Sequence, residues 1–246
     1  MKPRYLLIIC LFVFAACKKD TVEQGTMELT FRNAVGNQPL TLNTVTYQNA
    51  AGEDFTISAF KYYLSNFSLV KMDNSEVPLP VEYFLVDEGD ETSRTIRLAA
   101  PKGEYRAMRF LIGVDSIRNV SGAQTGALDP VKGMFWSWNS GYIMAKLEGY
   151  SPVSAATENR LTFHIGGFRK EHSAIQEVLL TAPISLTVAA GRLPQLEIVA
   201  DADVWFSQPF PISFANTSTI HVPGEDAAKI AANYRNMFRI TSVTDL

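Results

Sequence analysis

The chain has 246 residues, with 22 Lys and Arg against 25 Asp and Glu and a net charge of −3. This mildly acidic balance, without a basic stripe, argues against nucleic acid as a partner. Two cysteines and three histidines leave a small repertoire for nucleophilic or acid–base catalysis. With no P-loop, dinucleotide fingerprint, G-x-S-x-G elbow or H-E-x-x-H helix, the sequence reads as a protein that is not an enzyme.

Residues 1–16 read as a signal peptide. Lys2 and Arg4 precede an apolar run, YLLIICLFVFAA. The run is shorter than the roughly 20 residues of a membrane-spanning helix and suits a cleaved leader. It ends in Phe14-Ala15-Ala16-Cys17, which is similar to the lipobox of bacterial lipoproteins. Cys17 is the expected lipidation site, and residues 17–26 the lipidated tether. The expected localisation is the cell envelope, with the chain lipid-anchored to a membrane, the outer one, and facing periplasm or surface. Cys10 lies in the leader, so residues 27–246 contain no thiol, disulfide or cysteine ligand. A chain of about 220 residues can instead bury one large core.

Beyond the tether, apolar residues recur with period two, the strand pattern. Met27, Leu29 and Phe31 alternate with polar residues. Residues 55–71 (FTISAFKYYLSNFSLVK) change apolar parity after Leu64, which predicts a β-bulge near Ser65-Asn66. Short strands follow at 81–87 and 95–98, and a longer one at 103–115 buries Met108, Phe110, Ile112 and Val114. Residues 115–130 lack a period and read as a loop. Residues 142–148 and 160–166 look like a hairpin. Further strands are expected at 175–181, 184–188 and 195–206, the last with Glu197, Asp201 and Asp203 on one solvated face. Residues 225–238 read as a closing helix, with early acids and a stripe of Ile230, Tyr234, Met237 and Phe238. Eight to ten strands and one late helix predict a mainly β protein: one antiparallel β-sandwich domain, immunoglobulin-like or barrel-like, over residues 27–246.

The stretch LDPVKGMFWSWNSGYIMAKLEG, residues 128–149, holds Trp136 and Trp138 between Gly133 and Gly141. Such a pair is either a packed lid on a sheet or a ligand-binding aromatic site. Among the histidines, His164 alternates with Leu161, Phe163 and Ile165 and so points away from the core they fill; Gly166-Gly167 permits close approach beside it. His172 lies in a charged loop, and His221 precedes the closing helix, on the kind of connection where sites gather. Pairing the hairpin around a turn at 150–159 sets His164 opposite Ala145. It also brings the tryptophan stretch and residues 163–172 to the same end of the sheet. Two other readings stay open: a metal-free adhesion or glycan-binding lipoprotein in which Trp136, Trp138 and Tyr142 stack on a sugar, and a calcium site from Asp115, Asn119 and Asp129.

A series of short motifs runs along the chain: Gly113-Val114-Asp115, Gly126-Ala127-Leu128-Asp129-Pro130, GMFWSWNSGY at 133–142, Lys146-Leu147-Glu148-Gly149, Phe163-His164-Ile165-Gly166 and Asn233-Tyr234-x-x-Met237-Phe238. Taken in order over residues 27–243, it resembles the MbnP-like family. The resemblance implies a secreted or lipid-anchored periplasmic protein with a β-sandwich-like fold that binds copper. It further implies ligation by histidines and by a tryptophan oxidised to kynurenine, with a di-haem peroxidase-like partner performing that oxidation. On this chain Trp136 or Trp138 matches the tryptophan motif, with Trp138 the one expected at the site, His164 matches the His-Ile-Gly motif, and His221 occupies the pre-helix position. Imidazole suits copper, and kynurenine would replace the indole, a poor ligand, with an aromatic amine. Met134 is a further candidate ligand.

Overall fold

The period-two runs do form strands. The computed structural model describes residues 23–137 and 140–245, and among these there are fifteen strands. β1 (Gln24–Val35), β2 (Gln38–Pro39) and β3 (Tyr47–Gln48) lead into the long β4 (Asp54–Lys71). They are followed by β5 (Glu76–Pro78), β6 (Tyr83–Asp87), β7 (Thr95–Pro101) and β8 (Gly103–Ile112). A one-turn helix, α1 (Ser116–Asn119), and two 3-10 turns cross to β9 (Phe135–Ser137) and β10 (Gly141–Tyr150). The remainder comprises β11 (Arg160–Gly166), β12 (Gln176–Val188), β13 (Pro194–Asp201), β14 (Thr219–Ile220), α2 (Glu225–Tyr234) and β15 (Phe238–Asp245).

The strands build two sheets. In the first, β1 is central, with β13 and then β15 beyond it and with β2 and β7 also paired to it. In the second, the path runs β12-β8-β4-β10-β11-β14, and β3, β5 and β6 also pair with β4. β4 changes partner along its length: residues up to Tyr62 pair with β10, and residues from Leu64 onward pair with β8. The exchange coincides with the expected bulge, where Asn66 takes φ 51° and the β4–β8 register shifts between Ser65 and Ser68. An extra residue bends and twists a strand, which lets one strand serve two directions of the sheet.

Between the sheets lies a core rich in aromatic rings. Phe31 of the first sheet meets Tyr62 edge-on at 6.4 Å, and Phe238 packs against Phe31, Tyr62 and Phe110. Trp205 is fully buried and sits 5.5 Å from Phe60 and 5.2 Å from Tyr234. Each such ring buries about 150–250 Å² of surface, which suits a domain with no thiol to crosslink. One polar link crosses the layer: the buried Tyr62 hydroxyl donates to Asn33 Oδ1 at 2.9 Å, and Asn33 in turn donates to Glu88 at 2.8 Å.

The sandwich is mixed rather than purely antiparallel. β1 pairs parallel with β13 from Glu28↔Gln195 to Ala34↔Asp201, and β11 pairs parallel with β14. The expected strand at 195–206 stops at Asp201 and becomes a 3-10 turn over Ala202–Phe206. Asp201 and Asp203 therefore do not share a strand face; Asp201 Oδ1 accepts from the Asp203 and Gly36 amides. The strands expected at 175–181 and 184–188 are one strand, β12, whose register against β8 shifts between Thr181 and Leu186. The helix ends at Tyr234 instead of Phe238, and β15 follows it. Helix propensity is a weak preference, and here the rings of the inter-sheet core take Phe238 for the sheet.

α2 is fastened to the preceding loop by the buried Asn233. Its amide donates to the carbonyls of Trp205 at 2.9 Å and Phe210 at 2.7 Å, while Oδ1 accepts from the Phe210 amide at 2.9 Å. Asn233→Ala leaves these backbone groups without their partner and is expected to lower unfolding stability by about 2–4 kcal/mol. Urea denaturation would measure this, and a loss below about 0.5 kcal/mol, the level of ordinary surface changes, would show that the loop holds without Asn233.

Candidate metal centre

The tryptophan stretch is set by its flanks. Asp129 caps a 3-10 turn at Pro130–Lys132 by accepting from the Val131 amide, and Gly133 closes that turn at φ 71°. β9 then pairs with the start of β10, and Phe135 lies 4.8 Å from the Tyr142 ring. The buried Asn119 fastens the loop from behind: its amide donates to the Val114 and Asp115 carbonyls, and its Oδ1 accepts from the Tyr142 amide at 2.8 Å. Asp115, Asn119 and Asp129 thus serve as caps and backbone anchors, the structural use of such residues in turns. Tyr142 is fully buried and donates its hydroxyl to the Leu128 carbonyl at 2.9 Å. It presents no face to solvent, which removes it from a sugar-stacking platform. Met134 is likewise fully buried. Cys17 and Trp138 lie outside the described residues.

The hairpin pairs β10 with β11 as expected, with the register displaced by one: His164 faces Lys146, and Ala145 faces Ile165. The cause lies in the connection, where Glu158 and Asn159 both take positive φ ahead of β11. Leu161, Phe163 and Ile165 are buried, so alternation turns His164 to the outer face, where its side chain keeps 19% of its exposure. Lys146 and Glu148 occupy the same face one strand away. His164 Nε2 lies 2.6 Å from Glu148 Oε1, and Lys146 Nζ lies 3.4 Å from the same oxygen. The His164 hydrogen bond, reinforced by the Lys146 ammonium and opposed by partial burial, holds the Glu148 carboxyl down at about 2.

The other two histidines come to this end of the fold. β14 lies beside β11 with Phe163 opposite Ile220, both buried toward the core. The pairing ends there; His164 and His221 are the next residue along each chain, and His221 is exposed. Gly166 lies two residues beyond His164 on the same face of β11. A Cβ there would stand 2.5 Å from the Trp136 ring, so the indole rests directly on the glycine backbone. Gly167 continues this close approach: at φ 127° it packs against the His172 carbonyl and Pro223. His172 lines an open cleft of about 330 Å³ with Ser140, Phe168, Arg169, Glu171 and Pro223.

The structure therefore sets Trp136 on Gly166, brings the chain to His221 at the end of the β11–β14 pairing, places His172 in a cleft with Gly167 and Pro223, and removes Met134 and Tyr142 into the core. Among the described residues, no three His, Cys, Asp or Glu side chains converge as a ready-made metal cage. Sequence reasoning did not single out Glu148 or Lys146. The signal was available: Lys146-Leu147-Glu148 alternates, and the hairpin partner of such a strand meets its outward residues.

The MbnP family model matches residues 24–223. Among solved structures, MbnP from Methylosinus trichosporium superposes with a TM-score of 0.52 at 14% identity, covering 84% of this chain and 83% of that one. At that identity the likeness is one of fold. No curated protein matches the chain.

Two measurements follow from this geometry. Gly166→Ala would drive a methyl group into the Trp136 ring; it should change the near-ultraviolet circular dichroism of the indoles and lower stability by about 1–3 kcal/mol. An unchanged spectrum would show that Trp136 does not rest on Gly166. In acid, Glu148 has a folded value of about 2, below the roughly 4.3 of an unfolded chain. A depressed carboxyl stabilises the fold above its unfolded value, and that contribution disappears as pH falls toward the folded one. The stability difference between wild type and Glu148→Gln should therefore be largest above about pH 5 and shrink to nothing near pH 2. A difference that stayed flat over that range would contradict the ion-paired carboxylate.

Proposed function

Because the chain belongs to the MbnP family, we propose that it is a lipid-anchored envelope protein, not an enzyme, that binds copper through His164, His221 and an oxidised tryptophan. Family membership supports a copper-related role. The observation that supports the site is the parallel β11–β14 ladder, which ends at Phe163 and Ile220, the residues just before His164 and His221.

The residues fit the metal. Copper accepts imidazole nitrogen, and in this reading the two imidazoles just past the last β11–β14 pair reach the same ion. Among the described residues no three His, Cys, Asp or Glu side chains form a metal cage, so the reading needs a third donor of another kind. Trp136, which packs on Gly166 two residues beyond His164, is the donor this reading takes. Its indole is a donor only, whereas the kynurenine formed from it carries an aromatic amine with a lone pair. A di-haem peroxidase-like partner using hydrogen peroxide is the oxidant in this reading. Copper is cargo here, held by the chain and not turned over.

Residues 17–26 then serve as a tether, with Cys17 carrying the lipid. Among the described residues, no helix is long and apolar enough to cross a membrane. Attachment through acyl chains needs no such helix.

The test is a copper titration of wild type, His164→Ala and His221→Ala, with intact and peptide mass measured before and after treatment with a di-haem peroxidase and hydrogen peroxide. Each histidine variant should bind at least about tenfold more weakly. The treated wild type should gain one oxygen and lose one carbon at Trp136, a change that Trp136→Phe abolishes. A wild type that takes up no copper, treated or untreated, refutes the reading; modification at Trp138 instead would move the third ligand there.

A further inference from the structure

We propose that Glu148 is a positioning residue: it fixes His164 as the Nε2–H tautomer, which leaves the Nδ1 lone pair as the one His164 offers to a metal. The inference builds on the copper reading above, but its central claim concerns the metal-free protein.

The argument starts from which group can donate. Glu148 Oε1 is 2.6 Å from His164 Nε2 and 3.4 Å from Lys146 Nζ, so one oxygen faces both nitrogens. An ionised carboxylate has no proton to give and accepts only. The proton in the short contact therefore sits on Nε2. A neutral imidazole carries one proton, so Nδ1 is bare and is the nitrogen with a free lone pair. The ammonium of Lys146, whose side chain is only 13% exposed, keeps the carboxylate in this role.

The ladder makes the arrangement rigid. Glu148 and His164 stand on paired strands, their backbones locked from Lys146↔His164 to Tyr150↔Arg160. Glu148 also belongs to the pairing of β10 with β4, opposite Ala59. A backbone held between two neighbouring strands fixes where the carboxylate starts, and its contact with Nε2 orients the imidazole ring as well as its proton. Carboxylate partners of this kind raise the basicity of a ligating histidine, and removing them lowers metal affinity by about 10–100-fold.

The experiment reads the tautomer directly, from the nitrogen-15 shifts of the histidine rings in metal-free protein at neutral pH. Wild type should show His164 with a protonated Nε2 and a bare Nδ1. Glu148→Ala should lose that preference, and it should bind copper(I) about 10–100-fold more weakly in competition with a chromophoric chelator. The double variant Lys146→Met/Glu148→Ala removes the unpaired ammonium and should keep both defects. A protonated Nδ1 in wild type overturns the proposal. So does a double variant that recovers wild-type affinity, because Glu148 would then act only by neutralising Lys146. A wild type with the expected tautomer that binds no copper refutes the copper reading and supports the placement of the proton.

Discussion

The fold depends on the change of partner along β4. Eighteen residues of continuous strand give their first half to β10 and their second half to β8. A flat strand could not do this, because both neighbours compete for one line of backbone groups. The positive φ of Asn66 supplies the twist, and the buried Ser65 beside it donates its hydroxyl to the Gly113 carbonyl where the two neighbours diverge. The β8–β12 half then faces the first sheet through Phe110 and Phe238, while the β10–β11–β14 half turns its outer side toward the histidines.

The two faces of that half do different work. Inward, Leu147, Leu161, Phe163 and Ile165 are sealed in the core and fix the strands against sliding. A slip of one residue would exchange every inward and outward side chain, so burial of these four residues holds His164 outward. The same burial sets the register in which Glu148 reaches it. Precision at the outer face is thus a by-product of packing on the inner one. Where the sheet runs out, at Gly166 and Gly167, the absence of side chains admits the Trp136 ring and the His172–Pro223 contact.

Much of this was legible in the sequence, and the reason is periodicity. Alternation located most strands, the parity change in residues 55–71 located the bulge, and the alternation of Leu161, Phe163 and Ile165 turned His164 away from the core. The period says nothing about which strand lies beside which. The parallel pairing of β1 with β13 is therefore invisible locally, and so is that of β11 with β14. The expected hairpin register differs by one because Glu158 and Asn159 both adopt left-handed backbone; asparagine tolerates that conformation, but glutamate gives no sign of it. Tyr142 looked like a binding aromatic because nothing local shows that Asn119, twenty-three residues upstream, pulls its backbone inward. Phe238 looked helical for a similar reason: the rings that claim it come from Phe31, Tyr62 and Phe110.

The parallel β1–β13 ladder also bears on how the chain reaches this state. It joins residues such as Arg32 and Glu197, 165 positions apart. β1 can pair early with β2 and β7, but its β13 edge must wait until the closing segments of the chain exist. Closing so large a loop is entropically demanding, and domains dominated by such non-local pairing fold slowly. During that wait one edge of β1 has only unpaired backbone groups, the condition in which strands recruit the wrong neighbour. A growing or translocating chain of this design is thus most vulnerable in its first strand, and it becomes safe only when its last strands arrive.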